Sequence, residues 1–289
     1  MGWRRIIAFV SAACALLAVP ASAQLGYFGE NKVQFRDFDW QVLHGPHVDL
    51  YFYPAAHDLA AVALAYAEES FAVLERKFGH VPRRRIPLII YASHQDFEQT
   101  NVLSFVPPEG ILGVTEFLKR RVAVPFRGSY AEFKHTLRHE MVHAFELSVL
   151  ADVQRRYHRL RHVSLPLWWS EGLAEFWSAG EDAVDEMVLR DLTITGRMPS
   201  LRQLEYVSGG VVYPIGGAIH RWLADRFGEW RLQVFYRDLW KYRTFNEALV
   251  GVYGVPIEEL EEELRYYFRR TYYPAVSERR PLTTTATPH

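Results

Sequence analysis

Apolar and polar positions follow a strand-like pattern in the first part of the chain, with one long helical stretch between the strands. Alternation around the Gly45-Pro46 turn predicts a strand or hairpin. Alanines and larger apolar residues then recur at helical spacing up to Gly79, which is a typical helix stop. The elements predicted here are a strand or hairpin at residues 38–53, a helix at 57–78, a buried strand at 86–91, a short helix at 96–101, and one bent or two short strands at 111–126.

From Ser129 onward the periodicity is helical almost without interruption. The chain is therefore expected to have an α+β fold in a single domain of residues 24–275, with a strand-rich N-terminal lobe (about 24–128) and a helical C-terminal lobe (about 129–275). A tail rich in threonine and proline, residues 276–289, is predicted to be disordered because it cannot bury apolar surface. Helices are predicted at residues 130–150, 166–178, 182–195, 201–207, 215–227, 230–242, 245–253 and 257–270.

The first 23 residues have the pattern of an export signal. Arg4 and Arg5 precede an apolar stretch at residues 6–19, and a small-residue cleavage site follows at residues 21–23. The apolar stretch is short for a membrane span of about 20 residues, so cleavage is favoured over an uncleaved anchor. The mature protein is expected to be periplasmic or secreted, of bacterial type, with no membrane span.

Composition narrows the chemistry that the mature protein can use. The only cysteine, Cys14, lies in the predicted signal, so disulfides and thiolate ligands are excluded after cleavage. Removing the signal takes away two arginines and no acidic residue, which changes the formal charge from −1 to −3. A chain so close to neutral gives no electrostatic reason to expect binding to nucleic acid or to an anionic membrane.

A His-Glu-x-x-His motif at residues 139–143 is the strongest chemical signal in the chain. Histidines four apart share one face of a helix, about 6 Å apart along its axis, so His139 and His143 can both reach one ion. Glu140 is poorly placed to be a third ligand, but it can take a proton from a metal-activated water.

A catalytic zinc site needs a third protein ligand and one open position. Glu171 and Glu175 are four residues apart in a predicted helix and can share one face of it. Glu171 can therefore complete the metal site, and Glu175 can orient a ligand histidine from behind. Imidazole and carboxylate ligands favour Zn²⁺ over other divalent ions.

These residues resemble the gluzincins, the peptidase MA group that includes thermolysin and the aminopeptidase N family. Their His-Glu-x-x-His helix is followed by a second helix with the ligand glutamate, often in a Trp-x-x-Glu-Gly context, which Trp168 and Glu171-Gly172 match. The resemblance implies a zincin-like fold with a cleft between the lobes, Glu171 as ligand and Glu175 as its supporting acid. The interval after His143 is longer than in the best-known members, so residues 146–165 are taken to form an inserted loop.

Residues 212–218 resemble the Tyr-x-x-Gly segment of the aminopeptidase-like members, in which the tyrosine donates a hydrogen bond to the oxyanion. The resemblance implies that Tyr213, placed just before a helix, is catalytic. The alternative is an aromatic residue packed at a helix start. Tyr206 and His220 are the next candidates for the donor.

Other histidines and strands have simpler interpretations. His135 is expected to lie on the helix surface or behind the ligands, because a fourth ligand would close the site. His158 and His162 are flanked by arginines and suggest a solvated basic segment. Residues 113–117 are interpreted as an ordinary edge strand, and residues 121–126 as a strand edge that could receive an extended peptide.

Together these observations predict a zinc-dependent hydrolase, most simply a peptidase acting on a peptide or protein substrate. The competing hypothesis is a non-catalytic binding or assembly module of the cell envelope that keeps the zincin fold. A retired enzyme has no physical need for a base at Glu140, which favours the enzyme.

Overall fold

The protein is described here from a computed structural model that covers residues 35–103, 106–107, 110–157, 163–178 and 183–274. The predicted signal and the predicted tail lie outside these residues. Five strands form one small mixed sheet, and helices make up most of the remainder, so the α+β class is confirmed. Among the described helices, none has both the length and the apolar character needed to cross a membrane.

The sheet is built from the first part of the described chain, and the predicted hairpin around Gly45 is confirmed. The strand order is β1-β2-β3-β5-β4, with the two outer pairs antiparallel and the two inner pairs parallel. The segment predicted as one bent or two short strands forms two short strands. The strands are β1 (Gln41–His44), β2 (Val48–Phe52), β3 (Ile86–Tyr91), β4 (Val114–Thr115) and β5 (Val122–Pro125).

The helices follow the predicted order, and most of the differences lie at their ends. The first helix ends as predicted at Gly79, which adopts a left-handed conformation that glycine accepts without steric cost. The helices are α1 (His57–Phe78), α2 (His94–Glu98), α3 (Tyr130–Tyr157), α4 (Leu167–Ser178), α5 (Ala183–Ile194), α6 (Leu201–Leu204), α7 (Val212–Phe227), α8 (Trp230–Asp238), α9 (Phe245–Tyr253) and α10 (Ile257–Tyr272), with 3₁₀ turns at Pro54–Ala56 and Leu239–Lys241.

Helix α3 corrects the prediction of an inserted loop. The segment predicted as a loop begins at Glu146, but the helix continues to Tyr157. Val149 and Val153, one turn apart, are both buried, and this apolar stripe keeps the second half of the helix packed against the core. His158 and His162 lie outside the described residues.

Two further expectations need correction, one about the start of a helix and one about an exposed strand edge. Helix α7 begins at Val212, so that Tyr213 lies in its first turn instead of before it. Pro214 does not prevent this, because the N–H groups of a first turn have no partner within the helix. The expected strand edge at residues 121–126 is covered in part, since β5 lies between β3 and β4, and β4 pairs with its Val122 and Ala123.

The core lies where α1 and α3 pack against each other and against the sheet. Phe71 and Phe78 of α1 contact Phe145 of α3, with ring centroids 5.0 and 5.7 Å apart. Trp168 and Trp169 are fully buried and anchor the start of α4 among the helices of the second half. This packing fixes α3 and α4, the two helices that carry the predicted metal ligands.

Candidate metal centre

Helix α3 places the two motif histidines on one face, as their spacing predicts. His139 and Glu140 are buried, and the imidazoles of His139 and His143 are 5.1 Å apart between ring centroids. Leu137 and Met141 are also buried and fix the rotation of the helix. The residues with metal-binding chemistry therefore project from a rigid part of the molecule.

Helix α4 brings Glu171 to the same point. Its Oε2 atom lies 3.1 Å from Nε2 of His139 and 3.2 Å from Nε2 of His143. For an ion bound tetrahedrally at about 2.0–2.1 Å, neighbouring ligand atoms are about 3.3 Å apart, which is close to these distances. This group of three residues could therefore hold a metal ion.

The protonation chemistry of these residues follows from their burial and mutual proximity. Burial raises the pKa of Glu171, but hydrogen bonds from His139 and His143 outweigh it and hold the pKa far below its usual range. Burial lowers the pKa of both imidazoles, yet the facing carboxylates raise it above 6.5 overall. The site is thus a buried set of carboxylates that favours a cation, whether that cation is a proton or a metal.

Glu175 lies behind the ligands, where the sequence predicted it. Its carboxylate is 3.4 Å from Nδ1 of His139 and 3.5 Å from Nε2 of His135. Burial raises the pKa of Glu175, but hydrogen bonds from His135 and His139 lower it to about 2. These three residues also lie close enough to form a second possible metal group. Because Glu175 reaches the ring nitrogen of His139 that faces away from Glu171, we interpret it as an orienting residue.

Glu146 has the same relation to His143, and sequence reasoning missed it. Its Oε2 atom lies 3.5 Å from Nδ1 of His143, and its Oε1 atom accepts hydrogen bonds from Ser170 at 3.0 Å and Tyr236 at 2.7 Å. The Tyr236 oxygen in turn accepts from Nε1 of Trp169 at 3.0 Å. The available signal was the position of Glu146 three residues after His143, on the same helix face.

The candidate base, Glu140, is held by the edge strand β4. The hydroxyl of Thr115 lies 2.7 Å from Glu140 Oε2 and 2.8 Å from the Glu140 carbonyl oxygen, so it can donate to either. A β-carbon on Gly113 would lie 2.8 Å from Cγ of Glu140, closer than packed carbon atoms approach. The interpretation of residues 113–117 as an edge strand is confirmed, but its contact with Glu140 was not predicted.

Tyr213 is brought into the site, whereas the two other candidate donors are not. Its ring stacks on His139 with centroids 5.8 Å apart, and burial, followed by the charges of Glu171 and Glu140, raises its pKa. Tyr206 is 87% exposed. His220 is completely buried and donates from Nδ1 to the Gly216 carbonyl oxygen within α7.

Two glycines set the distance between α4 and α7. A β-carbon on Gly172 would overlap the backbone of Gly216, and a β-carbon on Gly216 would overlap the carbonyl oxygen of Trp168. The helix backbones therefore touch at this point, one residue after Glu171 and three residues after Tyr213. This contact holds Glu171 and Tyr213 in one site.

Comparison with family models and curated sequences identifies no relative of this chain. No family model and no curated protein sequence matches the chain. The function must therefore be inferred from the site.

Proposed function

We propose that this protein is a zinc-dependent hydrolase of the gluzincin type, with a zincin-like fold, that acts as a peptidase on exported or extracellular substrates. The observation that carries the proposal is the convergence of two imidazoles on one Glu171 oxygen, with Glu140 beside them. Two histidines and one carboxylate are the ligand set of catalytic zinc in several peptidases, and they leave one coordination position open.

Zinc bound at this position would lower the pKa of a water molecule and polarise a substrate carbonyl. Glu140 would take the proton of the attacking water and then deliver it to the leaving amine. Thr115 supports this role because its hydroxyl orients the Glu140 carboxylate. Tyr213 would donate a hydrogen bond to the oxyanion that forms on the former carbonyl oxygen.

Glu175 and Glu146 would keep the ligand histidines in the correct tautomer and orientation. Each carboxylate lies near the Nδ1 atom of one imidazole, which leaves Nε2 free to bind the ion. The two supporting acids come from α4 and α3, so both ligand helices contribute to the orientation. Such matched support favours a working metal site over an accidental cluster.

The proposal is tested by metal analysis and by digestion of a broad peptide library. Purified protein supplied with zinc should bind one ion per chain and cleave peptides, and a chelator should abolish cleavage reversibly. The Glu140→Gln variant is the matched control: it should keep the metal and lose hydrolysis, because the amide cannot accept the proton of the water. Zinc binding without cleavage of any peptide would instead favour the non-catalytic module, and absence of bound metal would refute the proposed centre.

A further inference from the structure

The turn between β4 and β5 exposes the two most prominent neighbouring apolar side chains of the described structure. Phe117 is 76% exposed and Leu118 is 91% exposed, and they are adjacent in the chain. We call these two residues the apolar tip. Exposed apolar residues scattered singly are ordinary, but an adjacent pair at the apex of a projecting turn calls for a partner.

Part of the backbone at the apolar tip is hydrogen-bonded within the turn. The Glu116 carboxylate accepts from the backbone N–H of Leu118 at 2.9 Å and of Lys119 at 3.1 Å, and it pairs with Arg121 at 3.2 Å. The Glu116 N–H donates to the Arg121 carbonyl oxygen at 2.9 Å. These internal bonds lower the cost of moving the turn out of water, because the N–H groups of Leu118 and Lys119 keep their partners.

Arg120 of this turn lies near arginines from two other parts of the fold, Arg83 and Arg84 before β3 and Arg155 in α3. Arg83 and Arg155 both pair with Asp152, the first at 3.1 Å. Burial lowers the pKa of Arg155, and the charges of Arg83, Arg120 and Arg84 lower it further, which places the four guanidinium groups within electrostatic range. We call these four arginines the basic cluster. One carboxylate against four guanidinium groups leaves a local net charge of +3 on a chain whose formal charge is −1.

One member of the basic cluster is held in a costly backbone conformation. Arg120 has φ of 52°, and among the described residues it is the one non-glycine residue with positive φ. Such a conformation is unfavourable for most residue types and persists where the surroundings impose it. The turn therefore fixes Arg120 on the basic cluster while its two preceding apolar neighbours project from the surface.

We propose that the apolar tip and the basic cluster together form a peripheral docking surface for an anionic lipid membrane. Apolar side chains at the apex can enter the interface while the surrounding guanidinium groups bind anionic headgroups. The high exposure of both apolar side chains beside guanidinium groups favours a membrane over a protein, because a protein partner would need a matching pocket for both side chains. Overall charge gives no reason to expect membrane binding, because it does not describe how the charges are distributed over the surface.

The docking surface and the candidate metal centre share one strand. Thr115 of β4 contacts Glu140, and Leu118 follows only three residues later, at most about 10 Å along the chain. Docking would therefore hold Glu140 close to the membrane surface, where the substrate would be a membrane-associated or juxtamembrane segment. The docking itself does not depend on the proposed peptidase activity.

Vesicle binding by the full chain tests the proposal. Phosphatidylcholine vesicles with roughly one third phosphatidylglycerol should bind the protein, and pure phosphatidylcholine vesicles should not. The pair Arg83→Gln and Arg84→Gln should weaken binding about 10- to 30-fold, and the pair Phe117→Ser and Leu118→Ser about 10-fold. Equal binding to both kinds of vesicle, or unchanged binding by either pair, would overturn the proposal. The control pair Arg243→Gln and Arg270→Gln, in the segment before α9 and in α10, should bind like the native chain.

A site-specific fluorophore separates docking at the tip from attachment through any other segment. The dye is placed by Leu118→Cys, or at an equally exposed control position by Tyr206→Cys, in a chain that also carries Cys14→Ser. Anionic vesicles should shift the emission of the dye at position 118 to the blue and protect it from an aqueous quencher, while the dye at position 206 stays in water. An unshifted dye at position 118, or equal shifts at both positions, would refute docking through the tip.

Discussion

The three acidic residues that face the candidate ligand histidines have different contacts, and these contacts predict different roles for chemically similar side chains. Glu171 contacts Nε2 of both imidazoles, whereas Glu175 and Glu146 each lie near one Nδ1. Only Glu171 can donate a lone pair to an ion held by those Nε2 atoms. The other two act on the ion through a histidine.

This difference predicts a ranking of zinc affinities. Glu171→Ala should weaken zinc binding most, because it removes a bond to the ion. Glu175→Ala and Glu146→Ala should each weaken binding by about 10- to 100-fold, since they only misalign a ligand. A competitive titration with a chromophoric chelator measures all three, with Glu132→Ala on the exposed start of α3 as control. A larger loss in Glu175→Ala than in Glu171→Ala would mean that the two roles are exchanged.

Tyr213 offers a test of the oxyanion donor. Its ring lies on His139, and the nearby carboxylates keep its hydroxyl protonated and able to donate. If the hydroxyl donates only in the transition state, Tyr213→Phe should lower kcat by about 10²- to 10³-fold with KM nearly unchanged. Zinc content should stay the same. Tyr206→Phe, at an exposed tyrosine, is the control, and native kcat in Tyr213→Phe would make Tyr213 a packing residue.

At the scale of elements, local spacing predicted more than contacts between distant segments. Two histidines four apart define a helix face by themselves, so the ligands on α3 could be found from sequence. The bond between Thr115 and Glu140 joins residues 25 positions apart, and that between Glu146 and Tyr236 joins residues 90 apart. No periodicity encodes such pairs, and therefore both supports of the site were missed.

The predicted ends of two helices were wrong for a related reason. Helix α2 was predicted at residues 96–101 but spans His94–Glu98, because the Ser93 hydroxyl accepts from the Asp96 N–H and fixes the start. Helix α3 runs beyond its predicted end because Val149 and Val153 find a buried surface. The Ser93 cap could be recognised in the sequence, whereas the surface that buries Val149 and Val153 exists only in the folded molecule.

The contact between α4 and α7 predicts that added volume is costly at one glycine and tolerated at its neighbour. Gly216→Ala should lower the free energy of unfolding by about 1–3 kcal/mol and weaken zinc binding, because the new methyl group pushes against the backbone that carries Glu171. A β-carbon on Gly217 would meet Cγ and Cβ of Glu175 at 3.4 and 3.5 Å and the Gly172 carbonyl oxygen at 4.0 Å, which are ordinary contact distances. Gly217→Ala should therefore be neutral or stabilising through helix propensity. Chemical unfolding measures both, and equal effects would show that the helices can separate at little cost.

At the scale of the whole molecule, proton binding and metal binding would compete for the same site. The folded pKa of His139 and of His143 is raised above the ordinary 6.5 of a histidine, so their pairs with carboxylates stabilise the metal-free fold below that pH. This stabilisation is lost as pH rises through the raised pKa. Zinc binds only the neutral imidazoles, so its affinity changes in the opposite direction and grows with pH.

Chelated protein should therefore lose unfolding free energy between about pH 6 and about pH 8.5, whereas protein saturated with zinc should gain it. Chemical denaturation at both pH values, with and without chelator, measures the two slopes. In Glu171→Gln the chelated slope should shrink, because the carboxylate that raises both histidine pKa values is gone. If the free energy of unfolding changes with pH in the same way with and without zinc, protons and metal do not share one site.

The position of the candidate ligands along the chain would let a bound ion stabilise the fold, in addition to its chemical role. His143 and Glu171 are separated by 28 residues, and the described residues contain no cysteine that could cross-link them. An ion gripped by both helices acts as a removable cross-link that closes a loop of that length. By analogy with a disulfide across a comparable loop, this restricts the unfolded chain by about 3–4 kcal/mol. Binding of the ion would then make the protein more resistant to heat and to proteases, and removal of the ion would make it less resistant to both.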